Sequence, residues 1–189
     1  QKPDYHCWTT FNPADLPFDG LYLFNDEVLA AGAKVSLTIT QDAVIWILPF
    51  VGGIDFEGYN EKGFVHIGQL QALDVKKGET LLISNPYEAE TVRYFHWQTD
   101  AIPTMHSELS SFDLLQKNTL ISISKTENIQ TFVGIYEGRA EEEHKLGSNR
   151  NKLFTFIIQG AFEFQNRLLE TGDALHLTGV DTVGDRKSV

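Results

Sequence analysis

One cysteine, Cys7, stands in the 189 residues, so no internal disulfide can form and a thiol-rich metal site is excluded. A reducing, cytoplasmic setting is the expectation that accompanies so few thiols. Basic side chains are scarce: 15 Lys and Arg stand against 26 Asp and Glu, a formal charge of −11. That balance disfavours nucleic acid and anionic membrane as partners and leaves neutral or cationic ones. The longest apolar run, 43–51, is far short of the roughly 20 residues that span a bilayer as a helix. No charged segment leading into a hydrophobic one opens the chain, so no secretory signal is expected. Gly52-Gly53 lies between apolar strands without the helix and lysine of a phosphate loop, and no Gly-x-Ser-x-Gly elbow occurs. Trp8, Trp46 and Trp97 lack an accompanying basic stripe, which makes them core or rim rather than nucleotide platforms.

What is present is apolar and strand-forming. The hydrophobic fraction is 42%, with 13 Phe, enough for a real core. Short β-branched and aromatic runs alternate with Gly, Pro, Asn and Asp, predicting strands near 20–24, 34–40, 43–50, 53–57, 64–70, 71–75, 80–84 and 91–99. A second set falls near 119–124, 130–136, 153–158, 160–165, 167–170 and 174–177. Short helices are expected only at 107–115 and 138–146. Many short strands with regular turns define an all-β sandwich or barrel. A faint repeat runs through them: "FVGGIDFEG" (50–58) resembles "IIQGAFEFQ" (157–165), and "VKKGETLLI" (75–83) resembles "LETGDALHL" (169–177). Duplication predicts a domain at 1–100, a linker at 101–118 containing Pro103 and clustered Ser and Thr, and a second domain at 119–189.

The stretch "AGAKVSLTITQDAVIWILPF" (31–50) poses the first functional question. Side chains two apart in a strand share a face. Ser36, Thr38 and Thr40 therefore line one side, and Val35, Leu37 and Ile39 the other.

Strand, Gly turn, strand, then a Gly-acid turn into another strand resembles one half of a two-barrel cupin protein, a bicupin. "FDGLYLFNDEVLAAGAKVSL" (18–37) is similar to the start of the pirin-like cupins, and "LFTFIIQGAFEFQNRLLETGDALHL" (153–177) to the C-terminal cupin of the pirin and quercetinase-like group. The resemblance implies two tandem β-barrels. In the first it implies one metal, usually iron, held by three His and one Glu. Its first two ligands come as His-Pro-His, where this chain has Thr38, Ile39 and Thr40. A neutral hydroxyl is a poor ligand for such a metal. The second pair, His-Ser-Glu, is missing from "LLISNPYEAETVRYFHWQ" (81–98); His106-Ser107-Glu108 lies beyond that strand and reads as a lookalike in the linker. The resemblance therefore implies a barrel without its metal, its lumen lined by Ser36, Thr38, Thr40, Tyr94 and His96 and open to a small neutral ligand.

Other candidates are weaker. His96 shares a face with Tyr94, and with Glu88 and Glu90 it makes the alternative set for Fe or another divalent transition metal in a quercetin 2,3-dioxygenase-like enzyme. No His-x-His, His-x3-His or Cys-x2-Cys spacing supports a metal site. His66 reads as a surface residue on a hairpin arm, and His144 follows the solvated run Glu141, Glu142, Glu143. His176 faces either solvent or the second lumen. Cys7 and His6 are strand neighbours that point apart, which rules against a nucleophilic pair. A sheet-mediated homodimer is the remaining expectation. The polar ending "TGVDTVGDRKSV" (178–189) implies a second barrel cut short, or closed by residues 1–12 or by another subunit.

Overall fold

The computed structural model describes residues 4–11, 20–103, 106–125, 129–138, 140–145, 152–179 and 182–187. Two compact units divide the chain, residues 1–112 and 113–189. The first holds β1 (Tyr5–Phe11), β2 (Leu21–Leu29), β3 (Lys34–Thr38), β4 (Ala43–Val51) and β5 (Ile54–Glu57). It continues with β6 (Lys62–Val65), β7 (Gln69–Val75), β8 (Thr80–Ser84), β9 (Val92–Asp100) and β10 (Glu108–Ser111). The second holds β11 (Leu120–Lys125), β12 (Gln130–Gly134), β13 (Glu141–Lys145) and β14 (Lys152–Phe156). It ends with β15 (Ala161–Phe164), β16 (Arg167–Glu170), β17 (Ala174–Thr178) and β18 (Thr182–Lys187).

No helix occurs among the described residues. The helix expected at 107–115 is replaced by β10, which pairs with β7, and that at 138–146 by β13, which pairs with β18. Pairing with a neighbouring strand decides the backbone of both segments. Pairing of β10 also draws half of the expected linker into the first unit. No helix of the described residues is long and apolar enough to cross a membrane.

In the first unit a six-stranded sheet, β1-β2-β9-β4-β7-β10, and a four-stranded sheet, β3-β8-β5-β6, share one core. Ile45, Ile47, Leu73 and Tyr94 enter it from the larger sheet, and Ile54, Phe56, Leu81 and Ile83 from the smaller. Strand β3 sends Val35 and Leu37 against this core, followed by buried Ile39. Ser36, Thr38 and Thr40 are consequently exposed, which corrects the expected orientation. Burial of branched apolar side chains outweighs any preference of small hydroxyls for the lumen.

The two units are alike in backbone detail. The β3–β8 ladder pairs Lys34 with Ser84 through Thr38 with Thr80; the β14–β17 ladder pairs Lys152 with Thr178 through Phe156 with Ala174, residue for residue alike. In the first unit Gly78 N–H donates to Ile39 O at 2.8 Å, Ile39 N–H to Glu79 O at 2.9 Å, and Lys76 N–H to Glu79 Oε2 at 2.9 Å. In the second, Gly172 N–H donates to Ile157 O at 2.8 Å, Ile157 N–H to Asp173 O at 2.9 Å, and Glu170 N–H to Asp173 Oδ2 at 2.8 Å. The sheet order β2-β9-β4-β7 recurs as β13-β18-β15-β16.

This register corrects half of the sequence repeat: 35–46 corresponds to 153–164, and 50–58 has no part in it. Strand β18 lies between β13 and β15 within its own unit, while β1 pairs with β2 in the first.

Gly78 and Gly172 turn the chain at φ 91° and 90°, where a Cβ is strained, although nothing lies within 4 Å of that position. Gly78→Ala and Gly172→Ala should each cost about 1–2 kcal/mol from backbone strain alone, with Asn tolerated better than Ala. Chemical denaturation of the single variants measures this.

Candidate functional site

The polar residues of the first unit's core gather on one carboxylate. Successive side chains of β2 alternate faces, so Asn25, Glu27 and Leu29 point inward together. Glu27 is fully buried. The register sets Tyr94 of β9 directly across from Glu27, with His96 across from Asn25, and on the other side Cys7 of edge strand β1 across from Glu27.

Glu27 takes donors from three strands. The Tyr94 hydroxyl donates a short hydrogen bond to its Oε2. Asn25 Nδ2 donates to Oε1 at 3.1 Å, and Cys7 Sγ lies 3.7 Å from the same oxygen. His96 Nδ1 approaches Oε1 to 2.8 Å, a hydrogen-bond distance without full hydrogen-bond alignment. Burial pushes the Glu27 pKa up, but His96, Tyr94 and Asn25 together outweigh it and the carboxyl stays below its ordinary range. Tyr94 moves the other way: burial first, then the adjacent carboxylate, hold it protonated as a donor. Burial and the same carboxylate raise Cys7 above the usual thiol range, so it is no ready nucleophile.

The sheet is clamped from its opposite face as well. Arg93 binds Asp26 through two hydrogen bonds of 2.8 and 2.6 Å, and its guanidinium lies over the Phe50 and Phe95 rings. Trp46 and Trp97 stack there at 6.0 Å, and Trp46 Nε1–H donates to Thr99 at 3.0 Å; both are core residues, as their lack of basic company predicted.

Of the predicted site residues, Tyr94 and His96 share the inward face of β9 and meet on Glu27. Ser36, Thr38 and Thr40 face outward from the opposite sheet, away from that group. Glu88 and Glu90 are exposed, in a loop held by Asn85, which donates to Leu29, Ala30 and Glu90 carbonyls. They do not join buried His96, and no three His, Cys, Asp or Glu side chains converge on a metal position among the described residues. The acid that sequence reasoning missed is Glu27. The signal was a charged residue alternating with apolar ones in "LYLFNDEVL".

The lookalike motif divides: His106 is exposed, Ser107 Oγ donates to Glu61, and Glu108 opens β10. His66 and His144 rest edge-on against Phe64 and Phe132, and His176 is exposed. The side chains of Glu141, Glu142 and Glu143 lie outside the described residues. His6 stacks on exposed Trp8, on the face of β1 opposite Cys7.

The three-His, one-Glu iron implied by the resemblance does not fit this donor set. A single imidazole enters, and the one carboxylate already accepts from Tyr94 and Asn25. What the arrangement does offer is a carboxylate and an imidazole side by side, both fully buried.

No protein-family model and no curated protein sequence matches the chain. Solved structures do. A bacterial pirin, YhhW from Escherichia coli, crystallised in complex with nickel(II), is similar at TM-score 0.80 and 17% identity over 99% of this chain and 88% of that one. YhaK from Escherichia coli follows at 0.76 and 15%, covering 97% and 88%. A cupin 2 conserved barrel domain protein from Leptotrichia buccalis gives 0.54 and 10%, covering 98% and 84%. The chain thus shares the fold of these structures.

Since folding lowers the Glu27 pKa, its stabilisation is complete above the ordinary value of 4.5 and drains away as pH falls through the folded value. Glu27→Ala should therefore lose about 3 kcal/mol at pH 7, with the gap to wild type narrowing below about pH 4. Tyr94→Phe, which leaves Oε2 short of a donor, should lose about 1–3 kcal/mol. Urea denaturation at several pH values reads both.

Proposed function

We propose that the chain is a pirin-related bicupin that works without metal-dependent catalysis, as a small-molecule-binding or regulatory protein. The observation that carries this reading is the engagement of Glu27: the carboxylate that stands with His96 in the first core is already occupied by side chains of its own protein. The bicupin assignment is supported by the matching ladders and turns of the two units, and by a sheet order that occurs twice.

The two units are not equivalent in chemistry. By register, the place of His96 in β9 is taken by Gly184 in β18, and that of Glu27 in β2 by Lys145 in β13. Any function of the acid–imidazole pair belongs to the first unit alone. Fold similarity at this level of identity carries no activity across, because function resides in the side chains placed on a fold.

Metal analysis after purification without chelator tests the reading. The expected content is well below one Fe, Ni, Cu or Mn per chain, and the melting temperature should not respond to EDTA. A stoichiometric metal lost on His96→Ala would overturn the proposal in favour of a quercetin 2,3-dioxygenase-like site.

A further inference from the structure

Among the described residues, the margins of the first unit's two sheets are β1 and β10 in the larger and β3 and β6 in the smaller. A strand at a margin offers unpaired backbone groups, and proteins guard such strands with charge, proline or brevity. Three of these strands are guarded. β10 and β6 are four residues long and open with Glu108 and Lys62, and β3 is five long and opens with Lys34. β1, "YHCWTTF", has seven residues and none of Asp, Glu, Lys, Arg or Pro. Its register shift falls between Thr9 and Phe11 and leaves Tyr5 to Thr9 regular. Ala30 N–H donates to Asp4 O at 2.9 Å, which makes Asp4 and Ala30 a hydrogen-bonded pair continuing the β1–β2 ladder. Alternation then turns the backbone groups of His6 and Trp8 toward β2, and those of Tyr5, Cys7 and Thr9 away from it. No strand pairs with β1 on that outer side among the described residues, and His6 to Thr10 are exposed.

We propose that β1 is the seam of a homodimer, in which two copies of the chain pair antiparallel about a two-fold axis at Cys7. A second copy fits this edge because the outward backbone groups are symmetric about that residue. Tyr5 lies opposite the partner's Thr9, Cys7 opposite the partner's Cys7, and Thr9 opposite the partner's Tyr5. Each is a hydrogen-bonded pair, so every outward N–H from Tyr5 to Thr9 meets a carbonyl. Moving the axis to His6 or Trp8 carries Thr9 or Tyr5 off the regular stretch of the partner. The side chains agree with this register. His6 stacks on Trp8 with ring centroids 5.6 Å apart. In the dimer each His6 stands opposite the partner's Trp8 in a non-hydrogen-bonded pair, the closer kind, so both stacks gather on one face. Trp8, exposed in the single chain, loses water contact there. The chain carries −11, and like charges facing each other across a seam are destabilising. β1 brings no such pair, and Asp4 just before it falls opposite the partner's Thr10. A two-fold contact of this kind closes on itself and stops at two copies. It does not depend on whether the first core holds a ligand.

Sedimentation of the intact chain between about 1 μM and about 1 mM should show monomer passing to dimer and nothing larger. Amide hydrogen exchange, run at both ends of that range and quenched before residue-level readout, locates the seam. In dilute protein the amides of Tyr5, Cys7 and Thr9 should exchange freely while those of His6 and Trp8, bonded to β2, are protected. In concentrated protein all of them should be protected. Thr9→Pro removes an N–H that faces away from β2, a place where a strand tolerates proline. The dilute variant should melt close to the wild type, while its dimer should weaken at least about tenfold. Should that variant not fold, the exchange comparison on the wild-type chain decides alone. A monomer at every concentration overturns the inference and leaves the edge to a strand of another protein. A dimer whose Tyr5, Cys7 and Thr9 amides still exchange freely overturns it as well, since the contact then lies elsewhere.

Discussion

The Glu27 carboxylate is fully buried, and the first unit is arranged to make that tolerable. An isolated buried carboxylate costs several kcal/mol even after relaxation, so each donor aimed at it also acts as a fastener. Tyr94 binds it from β9, Asn25 from β2 and Cys7 from β1, with the His96 ring packed beside it. Edge strand β1 shows most of its surface to solvent, with Trp8 exposed, and has little apolar burial to hold it. Its inward contacts with Glu27 supply what burial does not. The Arg93–Asp26 pair performs the same service between β2 and β9 on the outer face, where partial exposure makes the ions cheaper to hold.

This dependence explains which parts of the site were legible beforehand. The period-2 rule alone placed Tyr94 and His96 together, because it needs only the strand and its direction. It also separated Ser36, Thr38 and Thr40 from Val35, Leu37 and Ile39, but could not say which set faces the core. Aligning the hydroxyls with the metal-ligand positions of the pirin-like pattern settled that question the wrong way, against the simple preference of Val, Leu and Ile for burial. Glu27 was out of reach for another reason. Its partner Tyr94 is 67 residues away, and a buried carboxylate is intelligible only beside the donors that pay for it.

The fold followed a similar division. Long apolar strands such as β4 and β9 declare themselves, and so do turns that require a glycine at positive φ, such as those at Gly78 and Gly172. Strands of four or five residues such as β10 and β13 do not, because long-range pairing sets their backbone and their own side chains barely vote. The repeat suffered from the same weakness. A strand-Gly-strand pattern is common enough that 50–58 and 157–165 matched by composition, while the ladders equate 35–46 with 153–164.

The true register changes what the likeness of the two units means. Two units with one strand order place corresponding positions in corresponding geometry, so differences between them isolate what that order does not require. The turn hydrogen bonds and the β3–β8 ladder pattern are kept in both units; these are the demands of the fold. The imidazole and carboxylate of β9 and β2 are not kept, since Gly184 and Lys145 stand in their places. A second unit with the same sheet order therefore forms without a buried acid–imidazole pair. The pair in the first unit is then not a requirement of the architecture. It is a local arrangement whose burial cost the fold itself does not demand, and that makes Glu27 and His96, more than exposed Thr38 and Thr40, the place to look for function.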